Sequence, residues 1–579
     1  MCGHATSRPS CSKAGWRTTR RHWWPTSGQT RADRLRGDIV ARERTPAGYG
    51  LSRRRLLQGG LVAGAFAVSP TLLAACGGGN GSGGSGTSRL TIAVEGDPHS
   101  LNEIIDPGTG IRILNNTQDG LLNRSVDYRE VVPGISDFPE QPDDVTYRFT
   151  IREGITFHNG DPVTAEDVVY TFDRLMTDET ASFGALYRDN VASVEAEDDR
   201  TVVITTNEPF PIFLSLCSGN HTKIVQREKV EDPGYGVSVW SGTGPYEIVE
   251  WARGEQVTLR KAENANSPQG EAQVDEVVFR AMPDPAARLA ALRAGQVDAV
   301  IQPAYKDIEQ FEDSDEFQLT ELESADQTLM VFKTSIPPFD QRDVRKAVSL
   351  AINRQALVDD FFHGHATVAG DLYPSWHWAH DPSIVAEHDP AGARDLLADA
   401  GFDEANPLTF TCMVLQDQLF LDQATAIQAQ LREVGVEMEI QPVEYSTLSG
   451  MTAGGPEDWL GPVAMFRITP IRGTAYEFSY YQYAAGGPLN RSDFNKPGGH
   501  QRPDIQELME ETIAEADWGG ERDEAAKPAL AELSRMILDD PPQLLLNYWN
   551  RVSVLTDEVQ GWSSAVFDLI QLAPVSMSD

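Results

Sequence analysis

Two periods alternate along most of this chain. Leu90-Thr-Ile-Ala-Val-Glu95 alternates apolar and polar positions, and Gly96-Asp97-Pro98 breaks it, which predicts a short strand and a turn. Tyr147-Arg-Phe-Thr-Ile-Arg152 puts Tyr147, Phe149 and Ile151 on one face. Thr164-Ala-Glu-Asp167 reads as a helix start with Asp in place of the usual Glu of a capping box. Val168, Val169, Phe172, Leu175 and Met176 follow at helical spacing. Further strands are predicted at 201–205, 257–260, 276–279, 297–301, 436–440, 544–549 and 552–555. Helices are predicted at 288–295 with a glycine stop, at 343–354 capped by Asp343, and from Pro390 behind the cap Asp389 to Gly401. Others follow at 424–434, 505–516 and 529–538. Strands and helices alternating in this way predict an α/β fold.

A different pattern precedes Leu90. Leu56–Ala75 carries no charge, which is long enough to span a bilayer, but glycines, Ser69 and Pro70 make it only mildly apolar. It follows Arg53-Arg-Arg55 and ends in small residues, the layout of an export signal, here of twin-arginine type. Leu73-Ala-Ala-Cys76 looks like a lipobox, in which the Cys76 thiol takes a lipid anchor and becomes the mature N-terminus. The Gly/Ser tract 77–88 would then be a tether spanning roughly 17–21 Å as a coil. Residues 1–50 lack apolar periodicity and read as non-structural, or as following a mis-set start.

Charge narrows the partners. The sequence has 48 Lys and Arg against 86 Asp and Glu; beyond Cys76 the balance is 35 to 83, a net of −48. Such a body does not neutralise phosphates, so nucleic acid is excluded as a partner. Only Cys217 and Cys412 remain in it, and no CxxC pair marks a zinc site. The body exceeds what one core usually fills and is expected to form two or three lobes.

Longer blocks carry a resemblance. VTYRFTIREGITFHNGDPVTAEDVVYTFDRL from Val145 to Leu175 resembles the extracellular solute-binding protein family 5, the peptide, nickel and oligosaccharide receptors of ABC importers. Leu90–Leu101 with Asp119-Gly-Leu-Leu122, Gly242-Thr-Gly-Pro-Tyr246 with Glu250-Trp251, Pro337–Arg354 and Asp389–Gly401 match in the same order. The resemblance implies a periplasmic-binding-protein-like fold of two lobes joined by a hinge. Lobe 1 is expected at 89–328 with a subdomain at about 121–240, lobe 2 at 329–544, and a return at 545–579. The crossings are placed near 329–333 and 544–549. The implied protein is a monomeric, lipid-anchored binding component on the outer face of the cell membrane. It would capture a peptide or other small polar solute and hand it to ABC permease subunits, with no cofactor and no bond broken.

Peptide-binding members carry an Asp in a Gly-Trp-x-x-Asp segment that pairs with the ligand's amino group. Here Phe466 falls near the Trp and Thr469 near the Asp, with Arg467 and Arg472 beside them. Two arginines suit a carboxylate or phosphate; the alternative is that both are solvated or pair with local carboxylates. Tyr373, Trp376 and Trp378 offer flat surfaces for a ligand or for a core. Asp97 and His99 lie in the loop after the first strand, where such folds border a cleft. His363, His365, His377, His380 and His388 are close in sequence but lack metal-ligand spacing. A sugar, opine or metal-chelate receptor, a solute sensor of the same fold, and an extracytoplasmic hydrolase are the competing readings. No GxSxG, HExxH or P-loop supports an enzyme.

Overall fold

The computed structural model describes residues 87–578, apart from 106, 107, 264, 265, 519 and 568. The export-signal stretch, Cys76 and residues 1–50 lie outside the described residues. Among the described residues no helix is long and apolar enough to cross a membrane.

The chain is built on one mixed eleven-stranded sheet. From one edge its path runs through Val436–Val443, Leu408–Leu415 and Val463–Ile468 to the long strands Phe317–Phe332 and Gln543–Thr556. It continues through Ala299–Ile301, Arg89–Val94, Glu276–Ala281, Gln256–Lys261 and Tyr246–Ala252, and the eleventh strand, Ala366–Val368, pairs with Gln543–Thr556 off this path. Helices cover the faces, giving the α/β fold expected. Each half has its own parallel centre, 408–415 between two neighbours in one and 89–94 between two in the other.

The two long strands belong to both halves. Phe317–Glu323 pairs with Asn550–Thr556, and Gln327–Val331 pairs with Gln543–Tyr548, with a register break between Glu323 and Gln327. Leu329–Phe332, where the crossing was expected, pairs on its other side with Val463–Phe466 inside the second half. Alternate residues there enter opposite cores: Leu329 and Val331 one, Met330 and Phe332 the other. The predicted strands at 544–549 and 552–555 are a single strand, because Asn550 and Arg551 stay in the ladder.

Several local predictions hold. Asp167 accepts from the Thr164 N–H at 2.9 Å, Asp389 caps Pro390–Asp399, and Gly401 adopts φ +88° after it. One helix differs. Arg342–Ala351 begins one residue before Asp343, which lies in its first turn and does not cap it. It stops before Asn353, whose side chain accepts from the Ala356 N–H at 3.1 Å and caps a second helix, Arg354–Phe361. The predicted start at 529 is also late: Gly520–Asp539 runs through Pro528, carried by the buried face of Ala526, Leu530, Leu533 and Ile537.

A four-stranded antiparallel sheet, ordered 140–143, 146–150, 201–206, 191–196, packs with the helix Ala165–Thr177 around its own core. Its neck explains the Gly-Thr-Gly motif. A Cβ on Gly242 would lie 2.0 Å from the Thr117 carbonyl oxygen, so only glycine fits. Between the two glycines, the Thr243 hydroxyl accepts from the Asp119 N–H at 3.0 Å.

In the second half, Arg345 and Asp540 form an ion pair with both side chains at or below 1 % exposure. Burial alone would raise the Asp540 pKa, but His500, Arg345 and Arg502 outweigh it and hold the carboxyl well below its usual range. Asp540→Ala leaves Arg345 buried and unpaired, and should cost about 3–5 kcal/mol in urea unfolding. A loss below about 1 kcal/mol would show that the ring of cations does not depend on this carboxylate.

Candidate functional site

The site grows from the register break in the long strands. Asp326 lies there, fully buried, and its carboxylate takes the Arg551 guanidinium, the Thr469 hydroxyl and, at 3.1 Å, the Ser324 hydroxyl. Arg467 Nε approaches it to 3.9 Å, while the Arg467 guanidinium lies 5.1 Å from the Trp549 ring centre and stays 41 % exposed. Thr469 therefore stands beside a carboxylate that comes from a neighbouring strand, at 326 and not within the 461–474 segment.

Arg472 is in a different environment. Its guanidinium pairs with Glu477 at 2.6 Å, both buried, its N–H donates to the same carboxylate at 2.7 Å, and it lies 4.8 Å from the Phe183 ring centre. The two arginines thus meet different carboxylates: Arg472 pairs closely with Glu477, while Arg467 only approaches Asp326, which Arg551 already holds.

That loop touches the four-stranded subdomain. Arg124 donates to the Arg472 carbonyl at 2.9 Å and to the Ser215 hydroxyl. Tyr476 packs against the cores on both sides, and Tyr128, from the hairpin after Arg124, is buried in the second half's core. These contacts form a closed seam between the first lobe's subdomain and the second lobe.

The aromatic candidates divide. Tyr373 is 1 % exposed and stacks on His377 at 5.1 Å, inside the core. Phe466 is buried in the same core. Trp376 and Trp378 are half-buried and packed against it, and Trp376 meets Phe478 and Phe567 edge-on. Among the described residues, Trp376 Nε1 is enclosed without a hydrogen-bond partner. Burial pushes His377 down to about 3, so the ring at the centre of this cluster is neutral. In the first lobe, Asp97 accepts from the Trp251 indole N–H at 2.9 Å, and exposed His99 lies over Gly108. Tyr480, Tyr481 and Tyr483 are buried.

Among the described residues, no group of three or more His, Cys, Asp or Glu is placed to hold a metal ion. His365 sits between Glu312 and Glu321, His380 beside Asp371, and His363 and His388 are exposed. Cys217 and Cys412 are both free and buried.

The sequence did not single out Arg124, Glu477 and Asp517 at the seam, Asp326 at the register break, or Lys223, whose ammonium reaches the Asn123 side-chain oxygen. Lys223 was marked only by an apolar setting, Thr-Lys-Ile-Val, with no acid nearby in sequence. Burial pushes Arg124 down to about 10 and Lys223 down to about 8. Asp517 accepts from the N–H groups of Ala475 and Tyr476 at 2.9 and 3.0 Å, fixing the start of the turn that carries Glu477. Burial raises it to about 7, against those two bonds.

Asp517 gives a pH dependence of defined sign. An unfolded Asp titrates at about 4, so between about pH 4 and 7 the folded chain holds a proton that the unfolded chain has lost. Stability from this group is therefore complete below about pH 4 and declines as pH rises to 7. Asp517→Asn keeps an oxygen acceptor and cannot ionise. Its melting temperature should match the parent near pH 4 and exceed it at pH 8; parallel profiles would remove Asp517 as the titrating group.

Two lobes sharing crossing strands, closed on each other along a polar seam, define a binding fold of the periplasmic type. Residues 130–487 match the bacterial extracellular solute-binding proteins, family 5 Middle. The match covers more than half of the chain, and the chain belongs to that family. A putative ABC transporter peptide-binding protein of Brucella ovis is 29% identical over 332 residues, 55% of this chain and 62% of that protein. The alignment thus spans less than two thirds of the Brucella relative. Di/tripeptide-binding protein 1 of Pseudomonas aeruginosa is 26% identical over 411 residues, 64% of this chain and 74% of that protein. Among solved structures, the periplasmic binding protein DppA of Helicobacter pylori, in complex with the peptide STSA, aligns at TM-score 0.71 and 21% identity. That alignment covers 85% of this chain and 98% of that one. NikA of Staphylococcus aureus with Ni(L-His)2 aligns at 0.69 and 17%, covering 85% of this chain and all of that one. These two likenesses concern the fold.

Proposed function

We propose that this chain is the substrate-binding lipoprotein of an ABC importer. It captures an oligopeptide or another small polar solute between its lobes and delivers it to the permease. The observation that carries this reading is the pair of strands, 317–332 and 543–556, that run through both sheet halves and lose register within one short stretch, at Glu323/Gln327 and again at Thr328/Leu329. Bending there can part the seam at Arg124 and Arg472 without unfolding either core. The solute enters the open seam, closure buries it, and the closed form is what the permease recognises. Transport energy comes from ATP hydrolysis on partner subunits.

The ligand-facing candidates are Arg467 and Thr469 on the second lobe and Asp97 and His99 on the rim of the first. Trp376 and Trp378 wall the approach, and Tyr373 and Phe466 support them from the core. Arg472, paired with Glu477, shapes the loop. The arginine cluster, small-residue ending and Cys76 support a lipid anchor on the outer face of the membrane, with the body working as a monomer. The relatives named for peptide binding support a peptide ligand, while the absence of an acid at position 469 points to a different partner for a ligand's amino group.

Denaturing the purified chain and identifying released small molecules by mass spectrometry tests the capture role. A stoichiometric solute, with a smaller radius of gyration by X-ray scattering when it is added back, is the expected result. A chain that releases and binds no small solute contradicts the reading. Arg467→Ala should weaken an anionic solute more than about tenfold in calorimetry; unchanged affinity removes Arg467 from the site.

A further inference from the structure

A groove of about 380 Å³ lies on the second lobe, between the helices Pro503–Ile513 and Gly520–Asp539. Its floor is apolar, made by Leu508 from one helix and Ala525, Ala526 and Ala529 from the other. Three alanines in one helical stretch leave room that larger side chains would fill, and of the three only Ala526 is buried.

Glu511, Glu515 and Glu521 stand on the rim. Glu515 pairs with Arg522 at 3.0 Å, while among the described residues neither Glu511 nor Glu521 makes an ion pair. Lys527, close by in sequence, is held by Glu524 at 2.7 Å. Pro528 sits inside the second helix, within the turns that line the groove. Having no N–H, it leaves the Glu524 carbonyl without its helical donor. The groove therefore presents acceptors and negative charge around an apolar floor. Among the described residues, Arg522 is the one cation in its lining.

Arg522 also reaches across the seam. Its guanidinium lies 3.6 Å from Asp144, in the hairpin turn of the four-stranded subdomain, and 4.2 Å from the Trp518 ring centre. One wall of the groove is thus fixed by a contact between lobes, and parting the seam releases it. A partner seated there meets a different surface when the lobes are closed than when they are open.

The chain itself offers no complement. A second copy brings the same acidic body, and repulsion opposes its docking here. The tract 77–86 has neither a charge nor a large apolar side chain, and the basic residues before Cys76 lie upstream of the acylation site proposed above. What fits is a segment of another protein in which lysine or arginine flanks an aliphatic side chain.

We propose that this groove docks a basic segment of the permease, with an aliphatic side chain on the alanine floor and cations at Glu511 and Glu521. This rests on the importer role proposed above and names where the partner meets the closed chain.

Calorimetry on the full chain with the blocked peptide acetyl-Arg-Leu-Leu-Lys-amide tests the groove, with acetyl-Glu-Leu-Leu-Glu-amide and phenethylammonium as controls. The basic peptide should bind, more weakly in high salt, and the acidic one should not. Glu511→Lys with Glu521→Lys should weaken the basic peptide by about tenfold or more, and Ala525→Trp, which fills the floor, should do the same. All three positions are exposed, so melting temperatures should stay close to the parent's. No binding to the parent, equal binding of the acidic peptide, or unchanged affinity in both variants overturns the docking site. Phenethylammonium binding as tightly as the peptide makes the groove a small-cation pocket and overturns it as well. So does a dimer of the parent, seen by sedimentation, that the variants lose, because the occupant is then a second copy. None of these outcomes bears on solute capture, which fails separately if the parent chain releases and binds no small solute.

Discussion

A buried ion pair between two crossing strands governs how the halves of this molecule relate. Where Phe317–Phe332 and Gln543–Thr556 lose register, the ladder hydrogen bonds lapse, and Asp326 with Arg551, Ser324 and Thr469 replaces them. Bulges of this kind bend a sheet and redirect side chains. Here the bend falls between two packed cores, so relative motion of the halves concentrates at a few residues. Ala325 is anchored as well, its N–H donating to the Val566 carbonyl at 2.8 Å, which ties the C-terminal segment to the same point.

Around this hinge the polar groups divide into two sets. Most are satisfied within one lobe: Arg345 with Asp540, Glu103 with Arg174 and Tyr235, Asp97 with Trp251. These hold each lobe as a rigid body. A smaller set meets across the seam, with Arg124 on one side and the Arg472–Glu477 turn on the other. Rigid bodies with a polar, closable seam are what capture of a small polar solute requires. The long-range field matters too. A body this acidic disfavours anions, so an anionic solute would depend on cations concentrated at one place and shielded from the rest by burial.

Much of the fold was legible because its signals are local. Thr164 with Asp167, Asp389 with Pro390, and Gly401 each act within one helical turn, and a short alternating strand declares its buried face within six residues. The long strand 317–332 was not legible. Its centre, Glu-Ser-Ala-Asp-Gln, carries no alternating pattern, and pairing with the distant segments 463–468 and 543–556 keeps the strand extended. The split of the helix at Asn353 was likewise hidden, since Asn353 looks like one more polar position until its side chain is seen capping the Ala356 N–H.

The site followed the same division. Composition and the ordered blocks were sufficient to point to the class of fold, and the segment 461–474 to a candidate loop. Which arginine is exposed and which is paired depended on Glu477 and Asp326, and Tyr373 proved to be core because Phe478 and His377 pack on it. By itself the sequence determined the periodic elements, their caps, the acidic balance and the family pattern, all properties of neighbouring residues. Only tertiary structure decided the counterion of each charge, the join between the two halves and which charged groups meet at the seam. Burial and charge pairing are relations between segments far apart in the chain, and no local pattern encodes them.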